Sequence, residues 1–303
     1  MTPRSKAEAA LLATTLIWGG TFVAMKLALQ GFSPLLMVAI RFLIAALLFL
    51  LLFWHKIFPI HRASLLKGTI LGLFLFLGFV SQTFGLKFTT ASKSAFITAL
   101  MVVGVPLLQL IIERRPPKLG NIIGVVIVSV GLWFLTSPTG TEFNVGDALT
   151  LVCACMFAMY IVYLDVVSQE MTALQLTFLQ TAATAVLAWI SVSFFEPIQF
   201  NISSESVLSL LYLTLFATVG TTYIQTRFQK DTTPTRAAII FTIEPIFASL
   251  IAYAILDEQL GPWGVFGGAL IVTGVLLSEL SDSIPLLNRS FGLSEEEEPT
   301  RPP

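Results

Sequence analysis

Apolar runs of about twenty residues recur along the whole 303-residue chain, each separated from the next by a short polar or charged segment. A helix needs about 20 apolar residues to cross the hydrocarbon core of a bilayer. Only 12% of the residues are charged, which is about half the share found in a soluble domain. The chain is therefore predicted to be an all-α integral membrane protein.

Ten transmembrane helices are predicted from the positions of these runs between charges, glycines and prolines. Their ranges are 9–29, 34–54, 66–86, 93–113, 119–136, 147–165, 172–194, 206–226, 236–256 and 262–280. The connections are short, which indicates one compact bundle. Residues 281–303 are polar, acidic and rich in proline, and this composition predicts a disordered acidic tail.

Lysine and arginine are distributed unevenly over the predicted loops. With the N-terminus in the cytoplasm, the cytoplasmic segments hold 13 of the 17 basic residues. Membrane proteins carry their excess of basic residues on that side. Both termini are therefore predicted to be cytoplasmic, and the expected location is a plasma membrane, such as the bacterial inner membrane.

The two halves of the chain show a weak internal repeat. An offset of 139 residues, which becomes 143 in the later helices, aligns the following pairs in order: Trp18 with Phe157, Arg41 with Gln180, Gln82 with Gln225, Lys93 with Arg236, Gly124 with Gly267 and Gly131 with Gly274. Each half holds five helices, an odd number, so the second half has to be inverted in the membrane. We predict two inverted five-helix repeats, residues 1–136 and 137–280, followed by the tail at 281–303.

Several segments resemble the drug/metabolite transporter superfamily, EamA type. The resemblance rests on LIWGGTFVAMK at 16–26, Arg41 and Phe42, ASKSAFITALMVVGVP at 91–106, PTRAAIIFTIEP at 234–245 and the acidic residues at 257–258. It covers roughly residues 7–280. The resemblance implies a permease for small metabolites, often amino acids or related solutes and often working in export, but it does not identify the solute.

Glu244 is the strongest candidate for a functional side chain, because it lies near the middle of the ninth predicted helix, where a carboxylate is costly. Pro245 follows it, and Pro106 lies in the fourth helix. Each proline removes a backbone donor, and we predict that both act as hinges. A purely structural role for Glu244 stays open. The energy source also stays open between a proton carried by Glu244 and facilitated diffusion.

Arg41 lies about 10 Å into the bilayer, seven residues beyond the start of the second predicted helix. Its guanidinium group is suited to holding a carboxylate, which would belong either to the solute or to Glu244. The alternative is that its long side chain extends to the outer membrane interface. The two interpretations are equally compatible with the sequence.

Five further residues are candidates for the lining of a substrate cavity. Gln82 and Gln225 occupy equivalent places in the two halves and need hydrogen-bond partners, which either the solute or a neighbouring helix supplies. Trp18, Phe22 and Tyr160 are suited to an aromatic wall, although aromatic residues at helical spacing also serve simple packing. GxxxG patterns at 120–124 and 264–268 predict close packing between these two helices or a homodimer interface.

Other functional classes fit the sequence less well. The net charge is −1, and no basic cluster alternates with aromatic residues, which argues against a nucleic-acid partner. No HExxH or GxxxxGK[ST] motif is present, so we expect neither a metal nor a nucleotide cofactor. We predict a secondary transporter or facilitative permease that moves a small metabolite through the lipid bilayer by alternating access. A non-transporting scaffold or an intramembrane enzyme is the alternative.

Overall fold

A computed structural model describes residues 2–113, 119–136, 143–196, 201–259 and 261–280. In these residues the chain forms 14 α-helices: α1 (Pro3–Gly19), α2 (Thr21–Ala28), α3 (Pro34–Ile57), α4 (Arg62–Gly85), α5 (Ala91–Thr98), α6 (Met101–Glu113), α7 (Leu119–Thr136), α8 (Val145–Ser168), α9 (Ala173–Phe195), α10 (Ser204–Thr214), α11 (Thr221–Phe228), α12 (Pro234–Phe241), α13 (Glu244–Leu256) and α14 (Pro262–Leu280). A π-helical segment, Leu215–Gly220, joins α10 to α11. The predicted tail at 281–303 lies outside the described residues.

Eight segments of the described chain are long and apolar enough to cross a membrane. They are Pro3–Ala28, Pro34–Ile57, Arg62–Gly85, Ala91–Ile111, Val145–Ser168, Ala173–Phe195, Ser204–Asp231 and Pro234–Leu256. The helices α7 and α14 contain shorter apolar stretches, Ile122–Gly131 and Pro262–Gly274. The prediction of an all-helical membrane fold is confirmed, whereas the ten crossings and the inverted repeats stay predictions.

Two of the long segments are interrupted at equivalent positions. Ala91–Ile111, which is the fourth predicted helix, breaks between α5 and α6 at residues 99–100. Pro234–Leu256, which is the ninth predicted helix, breaks between α12 and α13 at residues 242–243. The two positions differ by the 143-residue offset, and the two segments are called the fourth and ninth segments below. At the first break, the amides of Val102 and Val103 donate to carbonyls three residues earlier, at 3.1 and 2.9 Å. The helix therefore tightens into a 3₁₀-type turn there.

The prolines that were predicted to act as hinges relate differently to these breaks. Pro245 lies in the first turn of α13, directly after the ninth-segment break, whereas Pro106 lies inside α6, six residues beyond the fourth-segment break. The tight turn at residues 99–100 forms without a proline. The position of Pro106 alone therefore does not locate the interruption of its helix.

The helices α7 and α14 pack against each other through a reciprocal pair of glycine contacts. A Cβ atom placed on Gly131 would lie 2.7 Å from the carbonyl oxygen of Gly267, and one placed on Gly274 would lie 2.8 Å from that of Gly124. Any side chain at these positions would force the backbones apart. These glycines serve packing within the chain, and the homodimer stays a prediction.

Glu258 joins the end of α13 to the start of α5. Asp257 ends α13 in the left-handed conformation, with φ of 53°, which reverses the chain so that Glu258 reaches the α5 N-terminus. Its carboxylate accepts hydrogen bonds from the amides of Ala91 and Ser92, both at 3.0 Å, and from the Ser92 hydroxyl at 2.8 Å. Lys26 at the end of α2 lies 3.4 Å away. Burial would raise the pKa of Glu258, but these hydrogen bonds and the lysine hold it below its usual value.

Replacement of Glu258 by glutamine is expected to lower the thermal unfolding temperature of the purified protein at pH 7. Hydrogen bonds to a charged group contribute about 1.5 to 3 kcal/mol. Because the pKa of Glu258 is lowered in the folded state, this stabilisation is complete above the ordinary glutamate pKa of about 4.3. It is lost as the pH falls through the lowered pKa. The gap between wild type and Glu258→Gln should therefore narrow in acid.

Glu205→Gln is the matched control for this measurement, since Glu205 is an exposed carboxylate in the first turn of α10. Its substitution should change the unfolding temperature little at either pH. A gap between wild type and Glu258→Gln that stays constant from neutral to acid pH would refute the stabilising role assigned to the Glu258 carboxylate.

Candidate functional site

A cavity lies where the interrupted segments meet. It is lined by Trp18, Thr21, Arg41, Leu75, Phe79, Gln82, Thr98, Met101, Phe157, Tyr160, Ile161, Ala217, Thr222, Gln225, Phe241 and Glu244. Six of the residues singled out from the sequence are among them: Trp18, Arg41, Gln82, Tyr160, Gln225 and Glu244. The structure therefore brings both candidate charges and both candidate amides to one cavity.

Phe22 is the candidate that the structure does not bring to the cavity. It is completely buried in the hydrophobic core, whereas Trp18 and Thr21 line the cavity. Helix α1 ends at Gly19 and α2 begins at Thr21, so the four-residue spacing between Trp18 and Phe22 does not place both on one face. A four-residue spacing places two side chains on one face only in an uninterrupted helix.

Arg41 projects from α3 and is held by the π-helical segment. Its Nη2 donates to the carbonyl oxygen of Ala217 at 3.0 Å, and its Nε donates to the Thr218 hydroxyl. The guanidinium also lies over the Phe79 ring, 4.5 Å from the centroid. With 2% of the residue exposed, Arg41 does not extend to the membrane interface. Segments of π-helix often occur at functional sites, and here the segment fixes the guanidinium beside the cavity.

Glu244 is the first residue of α13 and is 8% exposed. Within the described part of the chain, its carboxylate has neither a hydrogen-bond donor nor an ion-pair partner. The same part of the chain supplies no carboxylate in ion-pair contact with Arg41. Arg41 and Glu244 therefore do not neutralise each other, and both charged side chains line the same cavity.

The side-chain amides of Gln82 and Gln225 each donate one hydrogen bond to a neighbouring side chain. The Nε2 atom of Gln82 donates to the Thr98 hydroxyl at 3.2 Å, and that of Gln225 donates to the Gln229 side-chain oxygen at 3.0 Å. A glutamine amide has two donor hydrogens and one acceptor oxygen. Each side chain therefore keeps hydrogen-bonding capacity beyond the contact that orients it.

Aromatic rings form much of the remaining wall. Trp18 and Phe241 meet edge to face with centroids 5.0 Å apart, and Phe79 and Phe157 are 5.3 Å apart. The Trp18 indole nitrogen donates to the Thr221 hydroxyl at 2.9 Å, which fixes the orientation of the ring. Such a wall suits an apolar group of a ligand, because aromatic rings offer a large apolar contact area.

The cavity lining follows the internal repeat. Twelve of the sixteen lining residues form six pairs that are related by the offsets of 139 or 143: Trp18 and Phe157, Thr21 and Tyr160, Phe79 and Thr222, Gln82 and Gln225, Thr98 and Phe241, and Met101 and Glu244. Sequence reasoning missed Phe157, Phe241 and Met101. A shift of Trp18 and Glu244 by the repeat offset would have found Phe157 and Met101, whereas Phe241 pairs with Thr98, which was not recognised either.

Comparisons with known proteins agree with this architecture. The model of the EamA-like transporter family matches residues 5–137 and again 144–280. A protein of Archaeoglobus fulgidus called "Uncharacterized transporter" is 34% identical over 278 residues, which are 91% of this chain and 87% of the relative. The "Uncharacterized inner membrane transporter YedA" of Escherichia coli K12 is 26% identical, with 89% and 90% of the two chains covered.

A solved crystal structure shares the fold. Its chain is 18% identical and aligns with a TM-score of 0.75 over 91% of this chain and 97% of its own length. At this identity the likeness shows the fold alone. The family match over both halves and the relatives that are called transporters show more than the fold. This multi-pass membrane protein is a transporter and belongs to the EamA-like transporter family.

Proposed function

We propose that this protein is a secondary transporter or facilitative permease for a small zwitterionic metabolite, which is an amino acid or a related solute. We also propose that it works by alternating access and in the direction of export. The observation that carries the proposal is the pair of opposite charges, Arg41 and Glu244, which line one cavity without neutralising each other. An intramembrane charge without a partner is costly. A ligand that carries both charges would neutralise both side chains.

The chemistry of the lining indicates how such a ligand would be held. The guanidinium of Arg41 is suited to a carboxylate, and the carboxylate of Glu244 is suited to an ammonium group. The aromatic wall around Trp18 and Phe157 would cover an apolar side chain, and the amides of Gln82 and Gln225 would offer further hydrogen bonds. A solute that lacks either charge would leave one buried charge unpaired.

The arrangement of the chain supports alternating access. Many secondary transporters consist of two inverted repeats with the substrate site between them. We propose the repeats at 1–136 and 137–280, both termini in the cytoplasm, and bending of the fourth and ninth segments at their breaks. Pro106 and Pro245 would contribute to this bending. Glu244 would carry a proton if transport is coupled, and facilitated diffusion is the uncoupled alternative.

Counterflow in proteoliposomes tests the proposal with three probes of matched size. L-phenylalanine carries both charges, 3-phenylpropionate lacks the ammonium group, and phenethylamine lacks the carboxylate. We expect counterflow of L-phenylalanine above that of protein-free liposomes and little counterflow of the other two, because each of them leaves Arg41 or Glu244 unpaired. Equal counterflow of all three would refute recognition of a zwitterion. No counterflow of L-phenylalanine or of any other amino acid in a panel would overturn the proposed function.

A further inference from the structure

Two ion pairs lie outside the cavity and between different helices. Lys93 in α5 contacts Asp147 in α8, with 2.6 Å between Nζ and Oδ2. Arg236 in α12 contacts Glu8 in α1, with 3.2 Å between Nη1 and Oε1. Lys93, Asp147 and Arg236 lie in the first turns of their helices, and Glu8 lies in the second turn of α1. Each pair joins two helices that start far apart in the sequence. Neither pair contributes to the lining of the cavity.

The two pairs are equivalent under the internal repeat, although they share no residue. The 143-residue offset takes Lys93 to Arg236, and the 139-residue offset takes Glu8 to Asp147. These are the same two offsets that relate the six residue pairs of the cavity lining. Both the basic and the acidic partner are therefore reproduced, with charge retained, in each half of the chain.

Each pair stands at the same distance from the cavity along its helices. Lys93 precedes the cavity residue Thr98 by five residues, and Arg236 precedes Phe241 by five, which is about 7.5 Å in each case. On the partner helices, Asp147 and Glu8 precede the cavity residues of α8 and α1 by ten residues each, or about 15 Å.

Contacts between helix ends place the two pairs at opposite ends of the bundle. The start of α5, with Lys93, lies against Lys26 at the end of α2 and Glu258 beyond the end of α13. The start of α1, with Glu8, lies against the start of α12, with Arg236. Because α1 leads into α2 and α12 leads into α13, the Glu8 end and the Lys93 end are separated by the length of these segments.

The pair at the α5 end is the more deeply buried of the two. The side chains of Lys93 and Asp147 are 10% and 0% exposed. The Asp147 carboxylate also accepts hydrogen bonds from the Thr89 hydroxyl at 2.8 Å and from the backbone amide of Asn144 at 3.0 Å. Arg236 and Glu8 are 14% and 25% exposed, so this end is more accessible to water in the present conformation.

We propose that Lys93–Asp147 and Arg236–Glu8 are the two gates of the transport cycle, and that each opens while the other stays closed. This inference rests on the proposed alternating-access function. When one end of the bundle is closed, the ion pair holds its two helices together. When that end opens, water solvates both charges, so the closed and open conformations stay close in free energy. Because the two ion pairs are equivalent, removal of one pair should increase the fraction of molecules that are open at the end where that pair lies.

Cysteine labelling tests the gates without any solute. Cys153 and Cys155 are replaced by serine, and Thr222→Cys places one thiol in the cavity lining. A membrane-impermeant maleimide is then applied to vesicles of each orientation.

Neutralisation of both partners, as in Lys93→Gln with Asp147→Asn, avoids an unpaired buried charge. We expect labelling to become several-fold faster from the α5 side and slower from the other. Glu8→Gln with Arg236→Gln should have the opposite effect.

Two further variants sharpen the test. The exchanged pair Glu8→Arg with Arg236→Glu restores opposite charges at the more exposed end and should return labelling to the wild-type rates. Arg4→Glu is added to this variant, because Arg4 lies 2.8 Å from the Glu8 carboxylate and would otherwise face a like charge. Lys67→Gln with Glu170→Gln is the matched control, because it removes a surface ion pair that joins the start of α4 to the residues after α8. This control should leave labelling unchanged from both sides.

The outcomes separate the gates from the proposed function. Unchanged labelling in both neutralised pairs, with normal elution in size-exclusion chromatography, would overturn the gates even if L-phenylalanine shows counterflow. If a neutralised pair does not fold, the exchanged pair of the same end decides, since it retains the charges; at the α5 end this variant is Lys93→Asp with Asp147→Lys. Labelling that differs from wild type in the exchanged pair would contradict the gate at that end. If no amino acid shows counterflow but the neutralised pairs change the labelling rates as expected, the proposed solute class is refuted and the gates stay in place.

Discussion

Arg41→Gln is expected to weaken the affinity for L-phenylalanine by about 10- to 100-fold. A hydrogen bond to a charged group is worth about 1.5 to 3 kcal/mol, and each 1.4 kcal/mol corresponds to about a factor of ten in affinity. The substitution removes the positive charge next to the cavity and leaves the Ala217 carbonyl oxygen without its present donor. The half-saturating concentration in counterflow measures the effect.

Two further variants separate charge from geometry. Arg41→Lys keeps the charge but lacks the planar fork that binds a carboxylate through two parallel hydrogen bonds, so its affinity should lie between those of wild type and Arg41→Gln. Arg227→Gln removes an arginine from an exposed ion pair with Asp231 and should leave the affinity unchanged. Wild-type affinity in Arg41→Gln would show that Arg41 has a structural role only.

Glu244→Gln is expected to slow counterflow by at least about tenfold, the equivalent of 1.4 kcal/mol, while the protein still folds. The substitution keeps the shape of the side chain and removes the charge that would pair with the ammonium group. Because Glu244 makes no ion pair with Arg41, removal of its charge leaves no counterion unpaired. Membrane expression should therefore stay close to that of wild type.

The pH dependence of the same variant tests proton coupling. A neutral amide does not titrate, so a transporter that uses Glu244 as its proton carrier should lose the pH dependence of uptake in Glu244→Gln. Glu244→Asp keeps a titratable group and should retain a pH-dependent rate. Normal expression together with normal, pH-dependent transport in Glu244→Gln would remove Glu244 from both the binding site and the coupling step.

The helical fold was predictable because the lipid environment imposes a strong rule on sequence. A segment that crosses the bilayer must be apolar for about 20 residues, and the helices α3, α7 and α14 begin at the predicted residues, Pro34, Leu119 and Pro262. Helix interruptions obey no such rule. The break at residues 99–100 has no proline or glycine, and the π-helical segment between α10 and α11 has an ordinary apolar composition.

The candidate site was predictable where a residue is costly in a membrane. Arg41, Glu244, Gln82 and Gln225 stood out because each needs a partner that lipid does not supply, and all four line the cavity. Aromatic residues carry no such cost, since they pack equally well against lipid, core or solute. Phe22 was consequently included although it packs in the core, and the apolar members of the lining were missed.

Met101 and Glu244 occupy equivalent positions in the two halves, yet one is a thioether and the other a carboxylate. If the repeats are inverted as we propose, a lining that obeyed the repeat completely would present identical surroundings to a solute entering from either end. Under the proposed inversion this difference would make the cavity directional, because a cationic group would meet the Glu244 carboxylate on only one side of the pseudo-twofold axis. Unequal rates of inward and outward movement can therefore originate in the lining itself, even if the helices that move are alike.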